Sequence, residues 1–292
     1  MKKIKNIQRS LKKSLHDWSF YRAAKKRREA YHTMKKTLDL AGKKAVVFGV
    51  ATDKSIGWSI AKALNDNGCR IALGYQERAE PYVKELAKEL KDPFLAQCDM
   101  VADEFIENFF EKLDKGFGKV DFIIHSVAFA KKDFLQGKYF NIERRAYNTA
   151  QEVSAYSLPA VIKAAIKWNL LNDNGSILTL TYLGSEKAVQ NYNVMGVCKA
   201  ALESSVRYLA LDLGEKGVRV NAISAGPIAT MAASGITGFE GILKHAANKA
   251  PLKRNISAED VANLALFLCS DLSKNITGQV VYVDAGYSVI GL

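Results

Sequence analysis

Two tyrosines and a lysine form the clearest chemical pattern in the chain. Tyr192 and Lys199 are seven residues apart, in the pattern Y-x6-K, and Tyr182 lies ten residues before Tyr192. On a helix this spacing is almost two turns, so Tyr192 and Lys199 share one side, about 10 Å apart along the axis. An ammonium near a phenol favours its ionised form and strengthens it as a donor to a developing oxyanion. The pattern predicts general acid chemistry, with room for one cofactor ribose between the two side chains.

A loop of small residues, GVATDKSIG, follows an apolar β-rich run and precedes residues of helical character. Gly49 and Ser55 let backbone amides approach a pyrophosphate, which the positive end of a helix starting at Ile56 stabilises. The spacing is not G-x-G-x-x-G, so an ordinary strand-to-helix turn is the alternative interpretation.

The ends of the next two predicted strands bear on cofactor choice. A carboxylate there binds the adenosine ribose hydroxyls, whereas an arginine favours a 2′-phosphate. Neutral Gln76 favours NADH over NADPH, although Arg78 is two residues away. Asp99, followed by Met100, is expected either to accept a hydrogen bond from the adenine amino group or to cap a helix.

Residues 125–130, HSVAFA, end the fourth predicted strand. The small residues that begin with Ser126 and Val127 would let a nicotinamide ribose lie against the main chain. His125 has no partner carboxylate or second histidine nearby in the sequence, so a structural role is favoured over that of a catalytic base.

These residues lie between seven short β-rich runs and longer helical stretches, a pattern typical of a parallel sheet wrapped by helices. The predicted strands are 44–48, 70–73, 94–97, 120–124, 176–180, 218–223 and 280–283, and the predicted helices are 56–67, 79–90, 103–115, 142–168, 192–213 and 258–268. Right-handed crossovers bring the first and fourth strands together, where ligands bind beyond the carboxyl ends. The predicted fold is α/β, a single Rossmann-type doubly wound parallel sheet of about seven strands flanked by helices. Pro159 should kink or restart its helix.

The composition excludes several classes of protein. The chain has 292 residues, 48% hydrophobic and 25% charged, which excludes disorder and collagen. Its longest apolar run is about half of the roughly 18 residues that a membrane-spanning helix needs. The four cysteines are widely spaced without a C-x-x-C pair, so neither a metal site nor a disulfide framework is expected, and a reducing cytoplasm fits best.

The net charge of +12 is concentrated at the amino terminus, where residues 1–36 hold 13 Lys and Arg against two acids. We therefore divide the chain into a basic amphipathic extension, 1–40, and a dinucleotide-binding domain, 41–292. Apolar residues at helical spacing within the extension fit peripheral contact with anionic lipid. The alternatives are a solvated extension, an unknown partner or an organellar leader; nucleic acid is not expected, because no reader motif is present.

The chain resembles the NADH-dependent enoyl-acyl-carrier-protein reductases, a divergent branch of the short-chain dehydrogenase/reductase family. The resemblance covers about residues 40–292 and rests on GVATDKSIG, Gln76, CDM, HSVAFA, the tyrosine pair with Y-x6-K, AGPIAT, MAASGI and VDAGYS. Carbonyl-reducing members of the wider family use the pattern Y-x3-K. In this chain no lysine stands four residues after Tyr182, Tyr192 or Tyr208. A dehydrogenase for carbonyl or hydroxyl substrates and a noncatalytic dinucleotide-binding protein are the alternatives.

The resemblance implies hydride transfer from NADH to the β-carbon of a trans-2-enoyl thioester during fatty acid elongation, with an enolate forming on the thioester oxygen. Tyr192 is expected to donate to that oxygen and Lys199 to hold the nicotinamide ribose. Tyr182 is expected to position the substrate, or to be a packed aromatic residue.

The resemblance also implies two binding sets. The cofactor set is Gly49, Ser55, Ile56, Gln76, Asp99, Met100, Ser126, Val127, Lys199, Ile228 and Thr230. The substrate set is Ala128, Phe129, Ala130, Tyr182, Tyr192, Met195, Ala232, Ile236 and Phe239. Residues 231–239 are expected to form a mobile lid, although core packing explains Met195 and Phe239 equally well.

A homotetramer and an acyl carrier protein thioester as substrate are further implications. The helix after the lid, where a basic surface would meet the acidic carrier protein, contains Glu240, with only Lys244 and Lys249 as nearby bases. Carrier docking is therefore expected to use a different patch or to be weak, which leaves a coenzyme A thioester as an alternative substrate.

Overall fold

The computed structural model describes residues 38, 40–231, 233 and 236–291. The extension predicted over 1–40 lies almost entirely outside the described residues, and Leu40–Leu292 is a compact unit by itself. The strands are β1 (Lys44–Phe48), β2 (Arg70–Tyr75), β3 (Phe94–Gln97), β4 (Val120–His125), β5 (Leu171–Thr181), β6 (Arg219–Ala225) and β7 (Val280–Val283). The α-helices are α1 (Ile56–Asp66), α2 (Glu80–Leu86), α3 (Asp103–Gly116), α4 (Arg144–Gln151), α5 (Ser157–Lys167), α6 (Asn193–Leu213), α7 (Phe239–Lys249) and α8 (Ala258–Cys269).

The seven strands form one parallel sheet in the order β3-β2-β1-β4-β5-β6-β7. The predicted fold class is confirmed, and β1 and β4 are neighbours as expected. The strand order reverses between these two strands, so the loops that follow them meet at the carboxyl edge, where ligands of such sheets bind.

Both faces of the sheet are covered, because alternate residues of a strand point to opposite sides. On β1, Val46 and Phe48 belong to a core shared with α3, α5 and α6. Ala45 and Val47 belong to the opposite core, shared with α1, α2 and α8. Burial on both sides explains why the central strands read as continuous apolar runs.

The single helix predicted over 142–168 is two α-helices, α4 and α5, in the structure. Between α4 and α5 the chain makes a wider π-helical turn, Glu152–Tyr156. Pro159 follows in the first turn of α5, and a proline there has no N–H to donate to Ala155. The expected restart therefore occurs a few residues before the proline.

Several other predicted boundaries need correction. The predicted helix 79–90 is interrupted, since α2 is flanked by 3-10 turns, Glu77–Ala79 and Ala87–Glu89. The predicted fifth strand, 176–180, extends from Leu171 to Thr181. Helix α7 was not among the helices predicted from periodicity. Further 3-10 turns occupy Lys132–Phe134, Tyr139–Asn141, Leu183–Ser185, Gly214–Lys216, Asp271–Ser273 and Tyr287–Val289.

Candidate active site

The loop after β1 lies directly against the loop after β4. Gly49 has a φ of 92°, a conformation that side chains rarely adopt. A Cβ at this position would lie 1.9 Å from the carbonyl oxygen of Ser126. Only glycine fits, so these two predicted cofactor residues are brought together at the switch point.

Ser55 shapes the remainder of this loop. Its Oγ accepts hydrogen bonds from the backbone N–H groups of Ala51 and Thr52 at 3.1 and 3.0 Å, and its side chain does not cap α1. The amides at the start of α1, from Ile56 onward, are thus not covered by a capping side chain. The buried Oγ1 of Thr52 has no hydrogen-bond partner among the described residues. A cradle closed to any Cβ, an orphaned hydroxyl and an uncapped helix start fit the pyrophosphate of a dinucleotide.

Beyond β2 and β3, a polar chain links three side chains. Arg78 Nε donates to Gln76 Oε1 at 3.0 Å, and Gln76 Nε2 donates to Asp99 Oδ1 at 3.0 Å. The interpretation of Asp99 as a helix cap is wrong, because α3 begins at Asp103 and its preceding residue is Ala102. The Gln76 amide is instead held in one orientation by its two neighbours. Met100 lies next to Asp99 and is buried.

His125 is a structural residue, as expected. Its buried ring lies between Thr179 Oγ1 at 2.9 Å and Ser157 Oγ at 2.8 Å. Burial, followed by the nearby charge of Lys199, lowers the pKa of the ring to about 3. A neutral, enclosed imidazole can brace β4 against β5 and α5 but has no access to a reacting group.

The segment after β4 is anchored from the π-helical turn. The Ser154 hydroxyl accepts from the Phe129 N–H at 2.9 Å and donates to the Phe129 carbonyl at 3.0 Å. Ser154 is fully buried, so its two bonds hold the backbone of Phe129, whose neighbours are the predicted site residues Val127, Ala128 and Ala130. The Phe129 side chain is 40% exposed.

Tyr182 and Tyr192 are in contact. Their ring centroids lie 5.0 Å apart with an interplanar angle of 69°, an edge-to-face geometry favourable for aromatic pairs. Tyr182 follows β5 directly, and Tyr192 directly precedes α6. Burial, then the neighbouring Tyr287, raises the pKa of Tyr182 to about 12.

Tyr192 remains a phenol rather than a phenolate. Burial, with smaller effects of Tyr182 and Cys198, raises its pKa well above the usual value. The expectation that the Lys199 ammonium favours the ionised form is therefore wrong here, because desolvation dominates. A protonated, desolvated phenol still suits donation to an oxyanion.

Lys199 is almost fully buried on α6, and its Nζ donates to the Leu180 carbonyl oxygen at 2.7 Å. Burial lowers its pKa to about 8, against smaller opposing effects of Cys198 and Glu203. Lys199 thus contacts the carboxyl end of β5, and Tyr192 contacts Tyr182, the residue that follows this strand. Tyr192 is the capping residue directly before α6, and only Lys199 lies within the helix.

The loop after β6 closes another side of the site. The Gly226 N–H donates to the Val283 carbonyl at 2.7 Å, which ties this loop to β7. Thr230 N–H donates to the Ile228 carbonyl at 2.8 Å, and Thr230 Oγ1 accepts from Ala233 N–H at 3.1 Å. The Thr230 hydroxyl, predicted to contact the pyrophosphate, therefore also turns the chain into the segment predicted as a lid.

Within the predicted acyl site, Met195 is buried in a small cluster with Ala150, Val194 and Cys198, against which Tyr192 and Ala130 pack. Core packing and substrate contact are thus compatible for Met195. Ile236 and Phe239 are half-buried. Ala232 lies outside the described residues.

Comparison with known proteins places this arrangement in a family. A family model described as enoyl-(acyl carrier protein) reductase matches residues 49–288. The chain is 50% identical over 252 residues to enoyl-acyl-carrier-protein reductase (NADH) 1 of Rhizobium meliloti, with 86% of this chain and 92% of that protein covered. The chain belongs to the enoyl-acyl-carrier-protein reductase family.

Solved structures of the family agree with the fold. The Bacillus cereus enoyl-acyl carrier protein reductase, solved with NADP+ and indole naphthyridinone, has a TM-score of 0.84 and 45% identity, with 87% of this chain and 99% of that chain covered. The Anaplasma phagocytophilum reductase, solved in complex with NAD, has a TM-score of 0.81 and 44% identity, with 87% and 94% covered. The predicted resemblance is confirmed.

Two glycines of this reductase position Tyr192 and were missed in the sequence. A Cβ on Gly184 would lie 2.6 Å from the Tyr192 ring, and a Cβ on Gly196 would lie 2.5 Å from the Gly184 carbonyl oxygen. The 3-10 turn after β5 can therefore lie flat against α6 and the tyrosine ring. Both glycines have φ values outside the left-handed region, so no turn signal marked them.

Thr181 and Glu203 were also missed. The Thr181 hydroxyl donates to Glu203, and both are buried. Three consecutive residues at and just beyond the end of β5 therefore hold α6 against the sheet: Leu180 contacts Lys199, Thr181 contacts Glu203, and Tyr182 contacts Tyr192.

Two other kinds of site, a metal site and a disulfide, are absent from the described part of the chain. No group of three or more His, Cys, Asp or Glu there could hold a metal ion, and the four cysteines are free and buried. None of the helices formed by the described residues is long and apolar enough to cross a membrane. A polar cavity around Asp121 lies at the amino edge of β4, opposite Tyr192; Asp121 is already bonded to Lys43, the Lys44 N–H and Asn172.

Proposed function

We propose that this chain reduces the 2,3 double bond of trans-2-enoyl thioesters of an acyl carrier protein with NADH, in fatty acid elongation. The observation that carries the proposal is the joining of Tyr182, Tyr192 and Lys199 at the carboxyl end of β5. The curated relatives that match most of the chain are named as NADH enoyl-acyl-carrier-protein reductases, which supports both the reaction and the cofactor.

Tyr192 is the proposed proton and hydrogen-bond donor. When bound, NADH supplies a hydride to the β-carbon, and negative charge collects on the thioester oxygen. The raised pKa of Tyr192 keeps the phenol protonated at neutral pH, so it can donate to that oxygen in a site sheltered from water. Tyr182, in contact with the Tyr192 ring, limits where the ring can move and orients the thioester.

Lys199 has two proposed roles. Its Nζ lies at the base of the site, where it can donate to the nicotinamide ribose hydroxyls, and its charge stabilises the enolate. The bond to the Leu180 carbonyl holds the ammonium in place, so little reorganisation is needed during the reaction.

The remaining cofactor residues divide by the part of NADH that they would contact. Gly49, Ser55, Ile56 and Thr230 would hold the pyrophosphate. Gln76, Asp99 and Met100 would contact the adenosine. Ser126, Val127 and Ile228 would lie along the nicotinamide ribose and ring.

The proposed acyl site is apolar. Ala128, Phe129 and Ala130 would line it on the β4 side, with Met195 on α6 and Ala232, Ile236 and Phe239 beyond β6. The aromatic pair Tyr182 and Tyr192 is expected to lie beside an extended acyl chain and to help exclude water from the enolate.

Steady-state kinetics test the proposal. Loss of NADH absorbance is followed with trans-2-octenoyl thioesters of carrier protein and of coenzyme A. Enoyl-dependent oxidation is expected to fall at least about 100-fold in Tyr192→Phe, while fluorescence titration finds NADH affinity unchanged. Lys199→Ala should lose both activity and affinity. Tight NADH binding without any enoyl turnover by the unaltered chain would exclude the reductase function.

We further propose a cytoplasmic homotetramer of domain 41–292 whose residues 1–36 make peripheral contact with anionic membranes. The charge of that segment, 13 Lys and Arg against two acids, supports lipid contact. Flotation with anionic liposomes should require residues 1–36, and equal flotation of the chain without them would exclude the contact. Sedimentation velocity measures the assembly.

A further inference from the structure

A strongly basic surface adjoins the proposed active site. Residues 131–145, here called the basic segment, follow Ala130 and hold five Lys and Arg against two acids. The five bases are all exposed, and none of them forms an ion pair with another residue in the described part of the chain. They are Lys131, Lys132, Lys138, Arg144 and Arg145.

The inner side of the basic segment is part of the catalytic neighbourhood. Leu135 and Ile142 pack against the cluster of Val194, Met195 and Cys198, which also receives the Tyr192 ring. Leu135 and Ile142 therefore face α6, whereas the charges of the segment face solvent.

Hydrogen bonds fix the segment at the mouth of the site. Asn193, the residue after Tyr192, donates from Nδ2 to the carbonyl oxygens of Gln136 and Gly137 at 3.2 and 3.3 Å. Thr237, next to the proposed acyl residue Ile236, donates from Oγ1 to Gln136 Oε1 at 3.0 Å. The basic segment thus joins the start of α6 to the chain that leads into α7.

Helix α7 is a poorer candidate for an acidic partner. It carries exposed Lys244 and Lys249 but begins with exposed Glu240 in its first turn. Its surplus is one positive charge, compared with three for the basic segment.

We propose that the basic segment is the docking surface for the acyl carrier protein, with Lys138 and Arg144 as principal contacts. The proposal rests on the function proposed above, since it identifies how the same site receives its substrate. A carrier protein is an acidic domain, and it presents its acyl chain on an arm that begins with a phosphodiester. Both charges complement exposed, unpaired bases beside the catalytic tyrosine. The exposed Phe140, with 80% of its surface accessible, adds an apolar contact among the charges.

The test compares a charged and a neutral substrate. The double variant Lys138→Glu/Arg144→Glu is assayed with trans-2-octenoyl carrier protein and with the uncharged N-acetylcysteamine thioester. KM for the carrier substrate is expected to rise about tenfold or more, with a weaker dependence on salt. KM and kcat for the neutral thioester should stay unchanged, which a folding defect would not allow.

Two matched charge reversals complete the design. Lys119→Glu/Lys216→Glu, at the amino edge of the sheet, should leave both substrates unaffected. Lys244→Glu/Lys249→Glu tests α7 directly. An unchanged carrier KM in the basic-segment variant, or a larger rise in the α7 variant, overturns the proposal.

Binding separates this proposal from the proposed function. Fluorescence anisotropy of labelled holo-carrier protein is measured with the unaltered chain and the same variants. Loss of affinity only in the basic-segment variant supports docking, whether or not the unaltered chain turns over either thioester. Absence of turnover with both thioesters would exclude the reductase function but not the docking surface. No binding to the unaltered chain, or equal binding to all variants, overturns docking.

Discussion

Lys199 donates a hydrogen bond from its buried Nζ to the Leu180 carbonyl oxygen at 2.7 Å. The bond joins the second turn of α6 to the carboxyl end of β5 without using a second charged group. The ammonium therefore stays in a poorly solvated position, and burial lowers its pKa to about 8. The proposed cofactor ligand thus titrates close to physiological pH.

We expect this titration to limit catalysis on the alkaline side. The value of kcat/KM for NADH reports groups of the free enzyme, so its logarithm should bend downward near pH 8 as Lys199 loses its proton. Lys199→Arg should move the bend above about pH 10, because a guanidinium remains protonated. The measurement is a pH profile of initial rates from about pH 6 to about pH 10.

The neighbouring thiol provides the control for this profile. Burial raises the pKa of Cys198 to about 11, so Cys198→Ala should keep the bend near pH 8. If the bend instead moves in Cys198→Ala and stays near pH 8 in Lys199→Arg, Lys199 is not the titrating group.

Much of the fold was predictable because its causes are local. The parallel strands are continuous apolar runs, and the right-handed crossover rule then places β1 beside β4. Pro159 indicated a break in the helix predicted over 142–168, but the π-helical turn at Glu152–Tyr156 was not predictable. The buried Ser154 within this turn forms hydrogen bonds with Phe129, a residue 25 positions away. Nothing in a local apolar pattern indicates such a partner.

The candidate site shows the same division. Gly49 was predicted from its place in a loop of small residues between a strand and a helix, and Lys199 from its distance in sequence from Tyr192. Gly184 was not predicted. Only a glycine fits there because the Tyr192 ring lies against it, and this contact forms only when α6 packs on β5. Glu203 was missed because an acidic residue on a helix is normally expected at the surface, whereas here it is buried against Thr181.

Gly184→Ala is expected to impair catalysis more than folding. The new methyl group would lie 2.6 Å from the Tyr192 ring, so the ring must move away from its donor position. Displacement of a catalytic group by about 1 Å costs on the order of 100-fold in rate, and kcat should fall accordingly with NADH affinity retained. Gly241→Ala on α7 is the control, because no described residue outside the adjoining helix backbone lies within 4 Å of the new methyl. Equal kcat in both variants would refute a positioning role for Gly184.

Gln76→Arg should shift the cofactor preference towards NADPH. In the present chain the Gln76 amide bridges Asp99 and Arg78. Because this amide is neutral, residue 76 places no positive charge near the expected 2′ position. A guanidinium there attracts a 2′-phosphate, and we expect the ratio of Kd values to change about tenfold, about 1.4 kcal/mol. Fluorescence titration with each nucleotide measures the ratio. Gln76→Glu should change it in the opposite direction; a ratio unaffected by either substitution would exclude Gln76 as the selecting residue.

His125 should make the fold sensitive to mild acid. Its folded-state pKa is about 3, below the value of about 6.5 for an unfolded chain. Between these two values the unfolded state binds a proton that the folded state does not, so the free energy of unfolding falls as the pH is lowered through this range. From pH 7 to pH 5 the loss should reach about 2 kcal/mol. Urea unfolding at both pH values measures it.

A histidine outside the core serves as the comparison. His125→Asn removes the titrating ring, and although the variant is less stable overall, its free energy of unfolding should depend less on pH by about that same 2 kcal/mol. His245 on α7 is exposed, so His245→Asn should retain the dependence of the unaltered chain. If both variants lose it equally, the buried ring between Thr179 and Ser157 is not its source.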